Sequence, residues 1–188
     1  MASNTTGKVI KCRAPVCWGP KKGQTIVKVR LHSHIKLCKI KEISLQIEVD
    51  PPRKEEVRVK IAANGVCRSD AHHLDGDSCD VNLKYPLILG HEASGVVESV
   101  GPGVTTVVPG DHVILLYAPQ CIAGKECERC SNPKTNSCSM DNFNTTSLMR
   151  DGTSRFRHNG QTIYHYCGVS GFSEYTVCRE TQVAKVII

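Results

Sequence analysis

The sequence predicts a mainly β domain, a barrel or sandwich of short strands, and three observations support this fold class. Short runs of β-branched and other apolar residues recur along the 188-residue chain. Glycine and proline pairs, which favour turns, separate several of these runs. Helical periodicity is sparse, so we expect a single helical turn after Cys67, running through Asp70 to His73.

Five segments predict strands. Residues 57–61 alternate between apolar and basic side chains, which is the pattern of a half-buried strand. The other predicted strands are the β-rich segments 94–100, 112–116, 174–177 and 183–188. Turns are expected at 101–103 and 109–111, where glycine and proline stand together. A chain of this length has room for one domain with a hydrophobic core.

The composition favours a protein of the reducing cytoplasm. The chain has 11 cysteines, but its polar N-terminus, residues 1–8, lacks the apolar core of a secretion signal. A cysteine-rich chain without an export signal is more often metal-binding than disulfide-linked. No stretch approaches the apolar length of a membrane span, so we expect no membrane partner. The net charge of +6 suits anionic ligands but is weak support alone.

Residues 24–44 form a basic segment in which lysine, arginine and histidine alternate with aliphatic side chains. Such a segment could follow a phosphate backbone, but it lacks the aromatic side chains on which bases stack. We therefore expect a solvated strand or loop insertion and no nucleic-acid partner. A non-catalytic zinc module that binds nucleic acid or protein is the alternative function.

Four cysteines lie close together in a polar loop that spans residues 117–140. They are Cys121, Cys127, Cys130 and Cys138. Four thiolates this close in a reducing compartment form the closed tetrahedral site of a structural zinc ion. Cys121 and Cys127 are farther apart in the sequence than the closely spaced cysteine pairs of zinc sites. Of the four predicted zinc ligands, Cys121 therefore has the weakest support.

A second group of residues has the donors of a catalytic metal site. Cys67 and His91 are ligands of the kind that a catalytic zinc ion takes. Ser69 and His72, close to Cys67 in sequence, could pass a proton away from a bound hydroxyl. The chemistry that this predicts is removal of a proton and a hydride from an alcohol. Catalytic zinc takes three protein ligands, however, and only two good ones are evident, so we expect its binding to be weak.

Taken together, these motifs resemble the zinc-dependent medium-chain alcohol dehydrogenases of animals. The segments that carry the resemblance, besides 90–92 and the four-cysteine loop, are 7–12, 45–52, 96–101, 109–111, 118–121 and 151–156. The resemblance implies that residues 1–188 are the GroES-like catalytic domain, a partly open barrel with short helices and a zinc-binding loop. It also implies a small alcohol or aldehyde as substrate and, in the complete enzyme, zinc and NAD as cofactors.

The resemblance also assigns the surroundings of the metal. Cys67 and His91 would be catalytic zinc ligands, and Asp70 and Glu92 would be carboxylates that orient the histidine and tune the metal. Ser69 would take the hydroxyl proton of the substrate.

Three further residues follow from the same resemblance. His72 would carry the proton from Ser69 towards solvent. Arg68 would meet the pyrophosphate of the cofactor. Tyr117 would form one wall of the alcohol pocket.

Three departures from the family qualify this picture. Residues 24–44 have no counterpart, and the spacer 122–126 is longer than usual. The chain stops where the family continues into a third zinc ligand and the Rossmann domain that binds NAD, and no Gly-x-Gly-x-x-Gly motif is present. Cys167, Cys178 and His165 are weak candidates for a replacement ligand. A GroES-like domain without any metal is a further alternative.

These departures lead to expectations about the chain by itself. The family dimerises through the missing domain, so we expect a monomer. Without that domain the nicotinamide is not held beside the substrate, so we expect no activity from the isolated chain. It would then be a fragment, a splice form or a gene-model product.

Overall fold

The computed structural model describes residues 4–21, 45–76, 83–118, 121, 127–135, 138 and 147–187. The basic segment 24–44 lies outside the described residues. Within them the protein is mainly β, as the sequence predicts. The strands are β1 Ile10–Ala14, β2 Leu45–Val49, β3 Glu56–Asn64, β4 Ala93–Val100, β5 His112–Leu115, β6 Phe156–His158, β7 Gln161–Ile163, β8 Tyr175–Arg179 and β9 Val183–Lys185. Helix α1 spans Arg68–Asp75, and a 3₁₀ turn spans Glu180–Gln182.

The strands form two antiparallel sheets. One sheet has the order β1-β2-β6-β7, and the other has the order β8-β3-β4-β5-β9. Every strand pair in both sheets is antiparallel. This pattern confirms the predicted mainly β class. Among the described residues no helix is long and apolar enough to cross a bilayer.

All five predicted strands overlap strands of the structure, but four strands were not predicted, namely β1, β2 and the short pair β6 and β7. Strands β6 and β7 have three residues each and are joined by Asn159 and Gly160, which both have positive φ angles of 48° and 79°. An Asn-Gly pair with this geometry is the strongest local indicator of a two-residue hairpin. Helix α1 is also longer than the single turn expected, because Gly76 ends it only after eight residues with a left-handed φ of 72°.

The core consists mainly of apolar side chains of the strands, but β3 buries four consecutive residues, Glu56–Val59, and not the alternate ones that its sequence predicts. In the first sheet Ile47, Val49 and Phe156 are fully buried, and they pack in one apolar cluster. In the second sheet Val57 and Val59 of β3 are fully buried and pack with apolar residues of β4 and β5. A third apolar cluster, which contains Leu87, Leu89 and Tyr166, includes residues from the loops next to the candidate site.

A buried ion pair fastens the N-terminal segment to the second sheet. Arg58 has no exposed side-chain surface, and its Nε donates to Glu98 Oε2 at 2.6 Å. Its two terminal nitrogens donate to the carbonyl oxygens of Lys8 and Thr5 at 2.6 Å and 2.8 Å. The guanidinium therefore has partners on three sides, as a buried charge requires.

Candidate metal and alcohol site

The loop between β3 and α1 presents Cys67 at the N-terminus of the helix. Cys67 is the residue before the first helical turn and has an extended backbone, with φ −96° and ψ 151°. Its amide N–H donates to Asp70 Oδ2 at 3.2 Å, as the third residue of a helix often accepts from the residue that caps it. The thiol is therefore held at a fixed point beside the helix N-terminus.

A second loop brings His91 to the same point. Gly90 has a φ of 93°, and a Cβ there would lie 2.6 Å from the backbone nitrogen of Phe172, so only glycine fits. Gly90 N–H donates to Asp70 Oδ1 at 3.0 Å, and Nδ1 of His91 lies 3.4 Å from the same oxygen. Asp70, which is 2% exposed, thus ties the helix to the histidine loop, as its predicted orienting role requires.

Glu92 lies closer to the candidate ligands than the sequence indicated. The ligand atoms of Cys67, His91 and Glu92 all lie within 4.8 Å of one another. Gly65 makes room for this, because a Cβ at that position would overlap Oε2 of Glu92. The sequence-based assignment made Glu92 an orienting carboxylate, and the structure places its oxygen where it could be a third ligand. Among the described residues, Cys167, Cys178 and His165 do not join this group.

The surroundings of His91 shift its pKa upward. The hydrogen bond that the imidazole donates to Asp70 raises the pKa of His91, burial opposes this rise, and the Cys67 thiol adds to it. A proton on the imidazole competes with a metal ion for the same nitrogen. Binding of a cation at this position is therefore expected to release a proton.

The predicted proton-transfer residues lie on the first turns of α1. The Cys67 thiol donates to Ser69 Oγ at 3.7 Å, so that hydroxyl lies beside the candidate ligands. His72 is not joined to Ser69 by a hydrogen bond among the described residues, and its Nε2 instead accepts from Arg68 Nε at 3.3 Å. Arg68 and Ser69 are exposed, and His72 is half-buried. The structure thus brings Ser69 and His72 to one helix without a direct link between them.

Two tyrosine rings flank the imidazole of His91. The ring of Tyr117 lies 5.7 Å from it and that of Tyr166 lies 5.5 Å from it, both in edge-to-face contact. Tyr117 was predicted as a pocket wall, and its ring does lie beside His91. Tyr166, which is 4% exposed, was not predicted, because nothing in its local sequence marks a residue that reaches the site. Burial raises the pKa of the Tyr166 phenol, so the ring is a neutral wall.

The four cysteines of the predicted structural site converge, including Cys121. Their sulfur atoms all lie within 4.8 Å of one another. Cys121 Sγ lies 3.7 Å from Cys130 Sγ, and Cys127 Sγ lies 3.9 Å from Cys138 Sγ. A backbone turn in which Ser131 N–H donates to the Cys127 carbonyl at 2.9 Å holds part of this loop. The long spacing between Cys121 and Cys127 in the sequence therefore does not prevent the Cys121 sulfur from lying beside the other three.

The fold and these two clusters define a β domain of the kind that carries zinc in oxidoreductases. Residues 53–187 match the alcohol dehydrogenase GroES-like domain family. Over 185 residues the chain is 45% identical to alcohol dehydrogenase class-3 of Caenorhabditis elegans, covering 98% of this chain and 42% of that protein. The chain belongs to the alcohol dehydrogenase GroES-like domain family, as the resemblance in its sequence indicated.

Solved structures agree with this family. An alcohol dehydrogenase zinc-binding domain protein from Burkholderia ambifaria matches with a TM-score of 0.76 and 26% identity, over 96% of this chain and 43% of that one. Benzyl alcohol dehydrogenase from Acinetobacter calcoaceticus matches with a TM-score of 0.67 and 25% identity, over 95% and 41% of the two chains. This chain therefore spans less than half the length of the relatives that it matches.

Proposed function

We propose that the protein containing this domain oxidises primary or secondary alcohols, or reduces the corresponding carbonyl compounds, with zinc and NAD. The observation that supports this best is the group of Cys67, His91 and Glu92, whose ligand atoms lie within 4.8 Å of one another. Asp70 holds the histidine from behind, which is how metal-binding imidazoles are oriented in proteins.

The donor set fits zinc. One thiolate, one imidazole and one carboxylate are ligands that zinc accepts, and three protein ligands leave a fourth position open for substrate. A bound zinc ion would supply Lewis acidity, which favours loss of the hydroxyl proton from an alcohol. Glu92 is exposed, so this site is expected to hold its metal less tightly than the four-cysteine site does.

The other side chains account for proton handling and for the walls of the pocket. Ser69 Oγ lies 3.7 Å from Cys67 Sγ and is exposed, so it can accept the hydroxyl proton of an alcohol and release it towards solvent. The half-buried His72 follows one turn later as the next proton acceptor. The buried Tyr166 and the more exposed Tyr117 flank His91 on two sides and would form two walls of the alcohol pocket.

Arg68 is the candidate for cofactor contact. Its side chain is exposed at the first turn of α1, and its Nε donates to His72 Nε2 at 3.3 Å. A guanidinium pairs well with phosphate oxygens, so Arg68 suits the pyrophosphate of a dinucleotide. We propose separately that Cys121, Cys127, Cys130 and Cys138 bind a structural zinc ion.

Metal analysis of the purified chain tests the site. We expect one tightly held zinc ion at the four cysteines and a second, weakly held ion at Cys67, His91 and Glu92, which is lost in Cys67→Ser. Cys12→Ser is the matched control, because Cys12 is a buried thiol in β1 that lies 3.6 Å from Ser173 Oγ and belongs to neither group. Unchanged zinc content in Cys67→Ser would contradict the proposed metal site.

The reaction is tested by formation of NADH from a panel of alcohols, using the protein that contains this domain. Activity should disappear in Cys67→Ser, fall by about 10²–10⁴-fold in Ser69→Ala, and persist in Cys12→Ser. Alcohol oxidation that survives Cys67→Ser would refute the assignment. Inactivity of the 188-residue chain alone stays a prediction, which the same assay checks.

A further inference from the structure

Gln182 is a buried amide that joins two separate loops of the candidate site. It lies in the 3₁₀ turn Glu180–Gln182, and its side chain has no exposed surface. Its Nε2 donates to the carbonyl oxygens of Leu116 at 3.1 Å and Cys167 at 2.9 Å. Its Oε1 accepts from Arg179 Nε at 3.0 Å. Both N–H groups of the amide are therefore used, and each holds a different segment.

The two residues that Gln182 holds are chain neighbours of the two tyrosines. Leu116 precedes Tyr117, whose ring lies 5.7 Å from the ring of His91. Cys167 follows Tyr166, whose ring lies 5.5 Å from His91 on another side. The amide thus links the backbones from which both rings extend.

The local backbone is adapted to this side chain. Gly168 has a φ of 65°, and a Cβ there would lie 2.6 Å from Oε1 and 2.8 Å from Nε2 of Gln182. Glycine therefore leaves space that the amide fills. Leu116 N–H also donates to the backbone carbonyl of Gln182 at 2.8 Å, so the link to the Tyr117 segment is double.

We propose that Gln182 is a positioning residue that sets the separation of the Tyr117 and Tyr166 rings and thereby the width of the pocket over His91. This inference rests on the proposed function of that site. Without the amide, the carbonyl groups of Leu116 and Cys167 lose these two hydrogen bonds, of which the one to Cys167 is buried, and loss of a buried hydrogen bond is unfavourable. The two segments then shift to reach other donors or water, and the rings move with them.

NMR spectroscopy of the zinc-loaded chain tests the proposal through the imidazole C–H resonances of His91, which the two flanking rings shift. The variant is Gln182→Met, which has similar volume and no amide. The matched control is Thr181→Val, because the Thr181 hydroxyl lies in the same turn and has no hydrogen-bond partner among the described residues. We expect the His91 resonances to move in Gln182→Met and to stay in place in Thr181→Val.

A general structural role would give a different result. A folded Gln182→Met chain with a lower melting temperature but unchanged His91 resonances would overturn the proposal, as would an equal change in Thr181→Val. If Gln182→Met does not fold, Gln182→Asn takes its place under the same criterion, since its shorter amide cannot reach both carbonyl groups. The spectra are also recorded without metal, so failure of zinc binding at Cys67 is distinguished from failure of this inference.

Discussion

Replacing His165 should remove much of the acid sensitivity of the fold. His165 is 1% exposed, and its ring packs against Phe156 with ring centres 4.5 Å apart. Its Nε2 accepts from the backbone N–H of Arg155 at 3.2 Å, and its Nδ1 has no partner among the described residues. Burial, with a further contribution from the Arg155 charge, lowers the pKa of His165 from 6.5 to about 3.

The direction of the effect follows from proton binding by the two states. Between pH 6.5 and about 3 the unfolded chain takes up a proton at His165 that the folded chain excludes, so the free energy of unfolding falls as the pH falls. With these pKa values the loss is about 2 kcal/mol between pH 7 and pH 5. Asp151, whose pKa lies well below its usual range beside Arg155, contributes at lower pH. The raised pKa of His91 acts in the opposite direction near neutral pH, so the contribution of His165 is read from the difference between variant and wild type.

Urea denaturation at pH 7, 6 and 5 and fixed free zinc measures this loss. His165→Gln retains an acceptor for the Arg155 N–H but does not titrate, so its stability at pH 7 should be lower and its change from pH 7 to pH 5 smaller by about 2 kcal/mol. Equal pH dependence in His165→Gln and the wild type would refute the argument.

Three further changes have definite expected outcomes. Cys130→Ser should lose one zinc ion per chain and lower the melting temperature, as metal analysis and calorimetry would show, whereas Cys12→Ser should keep its zinc. Asp70→Asn should weaken zinc binding at His91 by about 10–100-fold in a chelator competition, and an unchanged affinity would exclude the orienting role. Arg58→Met should reduce the free energy of unfolding by about 3–5 kcal/mol, because it leaves the Glu98 charge buried without its partner. Adding Glu98→Gln should recover part of that loss in the same denaturation experiment.

The fold class could be predicted from the sequence because β-branched and other apolar residues recur along the longer strands of the second sheet, β3, β4 and β8. Strand β3 buries Val57 and Val59 against the core, and residues 57–61 were predicted on that pattern. Strands β6 and β7, with three residues each, are too short for any period to be visible. The Asn159–Gly160 turn between them was the available indication, and it depends on turn chemistry rather than on hydrophobic pattern.

The part of the candidate site at the start of α1 could be predicted because its residues are close together in the sequence. Cys67, Ser69 and Asp70 belong to one helix start, so their proximity follows from the helical turn itself. The position of Tyr166 depends on how a distant loop packs over His91, and no local pattern indicates such a contact. The closeness of Glu92 to the ligands depends in the same way on the space left by Gly65 on a neighbouring segment.

The two metal groups differ in a way that separates a structural role from a catalytic one. The four-cysteine group offers four sulfur ligands of one kind, and its Cys127 is 1% exposed, so a bound ion would have a complete protein shell. The group at Cys67 combines sulfur, nitrogen and an exposed carboxylate, and its neighbours are groups that move or hold protons, Ser69 and Asp70. A closed shell stabilises a loop but admits no substrate, whereas three mixed ligands leave one position free. Of the two groups, the one at Cys67 therefore suits the proposed catalytic role, and within the part of the chain that the structure describes the rings of Tyr117 and Tyr166 lie beside its His91.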